Sequence, residues 1–381
     1  MSSFFQWLAG IPPLAQIPLI LLAFAALVGI VLVFVEFAPR RGLRYTILRL
    51  AVCVVVPVVV LLAFGLYQSV IWVAAIAAVL GGGLFLLDYR SKRGAGYSLQ
   101  LIAFMTPAVF FLLIGLIYPT ITTAGQAFMK NDGSGFAGLD NFVWVFTSPD
   151  GLTAFGNTVI WVILVPLLAT SIGLAYAYFI DKARGEKIYK ALVFMPMAIS
   201  FVGAGIIWRF VYDYKSGDNA QIGLLNQILV WFGAEPVQWL QTSPINTFLL
   251  IVVMIWIQTG FAMVILSAAI KAVPVEQLEA AQLDGTNGWQ RFTNVTLPGI
   301  RGSLVVVITT ISIATLKVFD IVRTMTAGNF NTSVIANEMY TQAFRAGEQG
   351  RGAALAIVLF LLVLPIVIYN VRILRQQREI R

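Results

Sequence analysis

Long uncharged apolar runs, separated by short polar or basic stretches, set the pattern of this chain. About nine runs reach the roughly 20 residues that a helix needs to cross a bilayer core about 30 Å thick. They fall near 16–38, 48–67, 69–88, 98–119, 157–180, 190–212, 247–270, 302–324 and 353–374. The runs are continuous rather than alternating, which predicts helices and not the strands of a barrel. The expected fold is all-α, a polytopic transmembrane helical bundle.

Charge orients the bundle. Each odd-numbered run exits into a basic stretch: Arg40, Arg41 and Arg44; Arg90, Lys92 and Arg93; Lys182, Arg184, Lys187 and Lys190; Lys271, Arg291 and Arg301; Arg372, Arg375, Arg378 and Arg381. Cationic loops stay in the cytoplasm, so the N-terminus is expected outside and the C-terminus inside, in a cytoplasmic (inner) membrane. The first run has no basic residue ahead of it and is too long for a cleaved signal peptide.

Composition narrows the chemistry. Residues are 59% hydrophobic and 11% charged, where a soluble domain carries about 25% charged residues. One cysteine, Cys53, and no histidine exclude disulfides, Cys/His zinc sites and histidine-based nucleophile pairs. The net charge of +8 reads as orientation signal rather than as a nucleic-acid footprint.

The linker RSKRGAG at 90–96 divides the chain into an appended segment of about three spans, 1–95, and a six-span core, 96–381, that holds every distinctive motif. Two loops on the outer side carry structure of their own: 120–156, with Trp144 at headgroup depth, and 213–246, whose IGLLNQILVWFG predicts a short surface helix. The polar cytoplasmic loop 271–301 contains EAAQLDGTNGWQRFTNVTLP. Pro274 suits a first helical position, Val275 to Leu283 a short helix, Gly285 a left-handed stop, and 287–295 a second helix ending before Leu297 and Pro298. Glu276, Glu279 and Ala280 share a face. Small residues at Ala280 and Ala281 allow close approach of another surface, and Glu279 offers a charge for a cationic partner. The loop lacks a glycine-rich phosphate cradle, so it reads as a docking element.

The spacing Glu279-Ala280-Ala281, three residues, Gly285, nine residues, Val295-Thr296-Leu297-Pro298 resembles the EAA loop of ABC-importer permease subunits. LKVFDIVRTMTAG (316–328), GLDNF (138–142) and QGRGAALAIVLFLLVLP (349–365) resemble segments of the maltose-type carbohydrate permeases. PMAISFVGAGIIWRFVYDY (196–214) and IWIQTGFAMVILSAA (255–269) resemble their α-glucoside branch. The likeness covers roughly 98–375. It departs after the FD segment, where the family often continues T-G-G-G-P and this chain has Thr326, Ala327, Gly328, Asn329 and Phe330.

The resemblance implies a coupling loop formed by Glu276, Glu279, Ala280, Ala281, Asp284, Gly285, Leu297 and Pro298. It implies as partners a cytoplasmic ABC ATPase dimer, a second homologous permease and an extracytoplasmic sugar-binding protein. ATP and Mg would sit on the ATPase, with no cofactor, metal or catalytic residue on this chain. Whether the partner permease is a distinct chain or a second copy stays open, although the family pattern favours a distinct one.

A sugar path needs hydroxyl, amide and carboxylate groups beside aromatic faces. Intramembrane polar residues are its candidates: Ser200 and Trp208; Trp256, Gln258 and Thr259 in WIQTGF; Ser312, with Thr309, Thr310 and Thr315. Lys317, Asp320 and Arg323, three apart on the eighth run, read either as a gate or intersubunit ion pair or as a local pair with snorkelling side chains. Ser and Thr also bond their own helix backbone, and a terminal Trp also anchors a span.

The expected cargo is an oligosaccharide of the α-glucoside kind, with glycerol phosphate or a polyol as the alternative. Two other classes compete. A membrane enzyme acting on lipid-linked sugar would have to use Asp213, Asp218 and Glu235, which show no catalytic spacing. An ion-coupled carrier would need inverted repeats, which the sequence lacks.

Overall fold

The computed structural model describes residues 112–379 apart from 132, 182 and 218. The expected spans at 16–38, 48–67 and 69–88, and most of 98–119, lie outside the described residues, as does Cys53. Among the described residues the only β pairing is one bridge, Met129 to Phe136.

The helices run in order α1 (Tyr118–Gln126), α2 (Asp140–Thr147), α3 (Pro149–Ile180), α4 (Glu186–Phe194), α5 (Phe201–Val211), α6 (Leu224–Trp231) and α7 (Ile245–Lys271). Then come α8 (Val275–Leu283), α9 (Gly288–Arg291), α10 (Arg301–Leu316), α11 (Asp320–Met325), α12 (Ile335–Tyr340) and α13 (Gln349–Glu379).

Among the described residues, α3, α7 and α13 are long and apolar enough to cross a membrane. Two bent pairs add candidates. Glu186–Ala198 and Phe201–Val211 meet at 102°, and Gly288–Gly299 and Arg301–Leu316 meet at 70°. The runs expected at 157–180, 247–270 and 353–374 therefore correspond to continuous helices.

The run expected at 190–212 is corrected to two short helices at a steep angle. Its cause is local: Pro196 sits in a 3₁₀ turn, Met195–Ala198, and Ser200 in extended conformation caps α5 by accepting from the Gly203 N–H at 3.1 Å. The run expected at 302–324 is corrected likewise. Its helix ends at Leu316, and Asp320 opens a new short helix after the break at Lys317–Phe319.

The core is built around α7. Leu250, Met254, Ala262, Met263 and Leu266 are fully buried, and α3 packs along them through Trp161, Val165 and Ala169. Glycines set the closest approaches. A Cβ on Gly173 of α3 would lie 2.5 Å from the Ala262 Cβ, and one on Gly260 of α7 would lie 2.6 Å from the Val193 carbonyl oxygen of α4. Small residues at such crossings let helix backbones touch, the packing mode of membrane helices. A smaller cluster joins α2 to α13 through Val145, Ala354, Leu355 and Val358.

The loop between α5 and α7 is folded onto Asn226 of α6, which is fully buried. Its amide donates to the Asp213 and Val237 carbonyls at 2.8 and 3.0 Å, and its oxygen accepts from the Val237 N–H and Trp239 Nε1, both at 2.9 Å. Asn226→Ala strands several of these groups, each costing about 1–3 kcal/mol when buried unpaired. A lowered thermal midpoint of the detergent-solubilised protein, with helical content retained at low temperature, is the expected result.

Candidate functional site

Geometry first settles where the polar loop sits. α7 ends at Lys271, and α8 begins four residues later, with Pro274 as its N-cap rather than its first helical residue. Val273 is buried, and Leu278 packs against the main core, so one side of α8 is anchored. The other side is bare: Glu276, Glu279 and Ala280 are exposed, as are Val275 and Leu283, the latter by 89%. Asp284 closes the helix, and Gly285 follows at φ +80°, the left-handed stop its sequence predicts.

The second helical segment begins with a capping box, in which Asn287 and Gln290 exchange side chain-to-backbone bonds at 2.9 Å each. It does not end at residue 295. A π turn, Phe292–Thr296, carries it through Leu297–Gly299 to the bend at Ile300, so Leu297 and Pro298 lie inside the helical segment and not after it. Trp289 is 71% exposed beside α8. Tyr178 of α3 supports the segment from within, its ring 4.8 Å from that of Phe292. The whole loop thus presents an uncovered acidic and apolar surface on a scaffold fixed to α3 and α7.

An ionic cluster braces the same end. Lys190 of α4 lies 2.5 Å from Asp181 and 2.7 Å from Glu186, and Lys271 pairs with Glu186. Ser267 of α7 donates to Asp181 at 2.8 Å. The sequence reading counts Lys190 and Lys271 only as orientation charges. The available signal was Glu186 four residues ahead of Lys190, the helical pairing distance.

The candidate path residues scatter more than their sequence suggests. Trp208 of α5 and Trp256 of α7 meet edge to face with centroids 5.6 Å apart, and Tyr212 continues the row at 5.4 Å. Gln258 and Thr259 are buried, but Gln258 lies about 200° round the helix from Trp256. WIQTGF is therefore not one cluster. Thr259, Ser312, Thr309 and Thr315 each donate to a carbonyl four residues back in their own helix. Ser200 serves as the α5 cap.

Lys317, Asp320 and Arg323 do not share one helical face, because α10 stops at Leu316. Among the described residues they form no ion pair with one another, and Arg323 lies over the Tyr340 ring at 4.8 Å.

A helical membrane component with an exposed polar loop at one end of its best-packed helix is the class that these features define. The family model described as "Binding-protein-dependent transport system inner membrane component" matches residues 169–378, more than half of the chain, and the chain belongs to that family. It is an inner-membrane permease subunit of an ABC transporter and not itself an enzyme.

The chain is 47% identical over 278 residues to the osmoprotective compounds uptake permease protein GgtC of Synechocystis sp., covering 73% of this chain and 100% of that one. It is 47% identical over 270 residues to the alpha-glucoside transport system permease protein AglF of Rhizobium meliloti, covering 71% and 80%. A chain of a crystal structure of a bacterial ABC transporter involved in import of the acidic polysaccharide alginate superimposes with TM-score 0.65 at 24% identity, over 75% of this chain and 99% of that one. That likeness speaks to the fold.

Proposed function

We propose that the chain is one transmembrane subunit of an ATP-driven sugar importer, with a cargo of the α-glucoside kind. The observation that carries the coupling role is α8: a short helix, anchored on one side by Leu278, exposing Glu279 and Ala280 on the other, and joined to the central helix by three residues. A cytoplasmic ABC ATPase dimer receives this surface, and its closure on ATP and Mg moves α7 and α3 with it. A second homologous permease completes the path. The loop after α7 lies on the cytoplasmic side, the orientation that its basic residues favour.

The cargo reading is supported by the identity to AglF and by the half-buried aromatic pair Trp208 and Trp256, the residue type that suits sugar rings. Gln258, Thr259, Ser312, Lys317 and Asp320 are the further path candidates.

The test is purification of the tagged full-length chain in mild detergent and mass spectrometry of its companions. An ABC ATPase, a second EAA-bearing permease and a sugar-binding protein are the expected companions, and the binding protein's ligand names the cargo. Recovery of the chain alone, under conditions that preserve a known importer, overturns the reading. A binding protein specific for a polyol or glycerol phosphate overturns the sugar assignment only.

A further inference from the structure

At the end of α7 away from the coupling helix lies a cavity of about 390 Å³. Its walls come from three distant stretches. Arg209 and Tyr214 lie at and beyond the end of α5, Trp239 lies just before α7, and Arg323 and Phe330 lie in α11 and the loop after it. The 27 residues of α7 separate this end from α8 by about 40 Å.

The two arginines are the unusual feature. Among the described residues neither Arg209 nor Arg323 forms an ion pair, and neither guanidinium donates a hydrogen bond. The one carboxylate lining the cavity, Asp213, pairs with Lys215 at 3.4 Å. Arg323 lies over the Tyr340 ring at 4.8 Å, a cation–π contact that uses none of its N–H groups as donors to a protein acceptor.

The loop that follows α11 and contributes Ala327 and Phe330 to the cavity is strained. Ala327, Phe330 and Asn331 all adopt left-handed φ, at 57°, 55° and 61°. Side chains with a Cβ resist that region, so it persists only where the surroundings enforce it. Two asparagines do so. Asn246 of α7 donates to the Phe330 carbonyl at 2.8 Å, and Asn157 of α3 donates to those of Asn331 and Ser333 at 2.7 and 2.9 Å. A Thr326–Thr332 hydroxyl contact at 2.6 Å pins the base of the loop. This stretch is also where the sequence leaves the T-G-G-G-P pattern of the permeases it resembles.

A preformed cavity with two free guanidiniums beside aromatic rings matches a carboxylate in charge and fork geometry. A neutral glycoside leaves that charge unanswered. We infer that Arg209 and Arg323 receive an aspartate or glutamate side chain of the extracytoplasmic binding protein when it docks. This inference rests on the importer reading above, which places this end of α7 outside and supplies such a partner. The strained loop then serves as a fixed socket, and α7 links the socket directly to the coupling helix.

The test uses the complete importer, reconstituted in nanodiscs with its own sugar-loaded binding protein. ATP hydrolysis is measured against binding-protein concentration for wild type, Arg209→Gln, Arg323→Gln, the double variant and Arg209→Lys. The expected result is a half-saturating concentration about tenfold higher for each neutral variant, with the plateau rate unchanged. Arg209→Lys retains most of the affinity. Raising NaCl weakens the wild-type interaction and leaves the double variant nearly indifferent.

Should Arg323→Gln fail to assemble through loss of its Tyr340 contact, Arg209→Gln, exposed and without such a contact, decides alone. An unchanged half-saturation overturns the inference. So does a lowered plateau with unchanged half-saturation, which would place the arginines on the cargo's route. Absence of any stimulation in the wild type overturns the importer reading itself, and the socket with it.

Discussion

Replacing Glu279 by lysine is expected to leave the protein in the membrane at normal abundance and to abolish uptake. The expectation follows from where the side chain stands. Glu279 is exposed on α8, and among the described residues it forms no ion pair, so the folded permease does not need its charge. A partner that inserts this helix into a cleft does need it, because reversing a desolvated charge sets like charges together at a cost of several kcal/mol. At about 1.4 kcal/mol per tenfold, docking weakens by two orders of magnitude or more.

Gly285→Pro is expected to give the same phenotype by a different route. Proline fixes φ near −65°, and Gly285 stands at +80° and donates its N–H to the Gln282 carbonyl. The turn that aims α9 away from α8 is then lost. Radiolabelled-sugar uptake with quantitative immunoblotting of membranes measures both. Normal uptake in the two variants would remove the coupling role from this loop.

The first helix of the loop, its glycine stop and the start of the second were legible because their determinants are local, whereas the π turn that carries the second helix past Val295 was not. Val275 to Leu283, Gly285 in the left-handed region and the cap at Asn287 follow from side chains within a few positions of the backbone they control. The bend before Ser200 also carried local signals, Pro196 and a capping serine. A reading by hydropathy merges the two halves because both are apolar. The break after Leu316 had no such signal: Lys317, Val318 and Phe319 contain neither proline nor glycine. What decides it is tertiary, since α11 packs into the main core through Ile321, Val322 and Met325.

The same distinction separates the parts of the site. The exposed acids of α8 are sequence neighbours, and their spacing displays their common face. The pairing of Trp208 with Trp256 and the presence of Arg209 and Arg323 on one cavity join segments dozens of residues apart, across chain reversals that no periodicity encodes. Contiguity can also mislead: Trp256, Gln258 and Thr259 read as one cluster, yet a helix turns Gln258 away from Trp256.

Gly173→Leu is expected to be strongly destabilising. The glycine lies at the crossing of α3 and α7, where an added Cβ would sit 2.5 Å from the Ala262 Cβ, 2.9 Å from the Met263 backbone nitrogen and 3.1 Å from the Thr259 carbonyl oxygen. Two of these three atoms are main chain in the middle of a buried helix and cannot step aside, so the helices must part. Overpacking in a core costs about 1–3 kcal/mol, occasionally more, and a crossing that cannot repack by rotamer change belongs at the upper end.

Gly156 supplies the control on the same helix. A Cβ there meets nothing within 4 Å, so Gly156→Ala is expected to be neutral or to stabilise by up to about 1 kcal/mol through helix propensity. Gly173→Ala combined with Ala262→Gly removes the Cβ–Cβ clash and leaves the two backbone contacts. Partial recovery, not full, is the expected outcome of that pair. Thermal unfolding of the purified variants in one detergent measures all three. A Gly173→Leu midpoint equal to wild type would mean that α3 and α7 are not in contact here. The proposed link from ATPase loop to central helix to α3 would then lose its second joint.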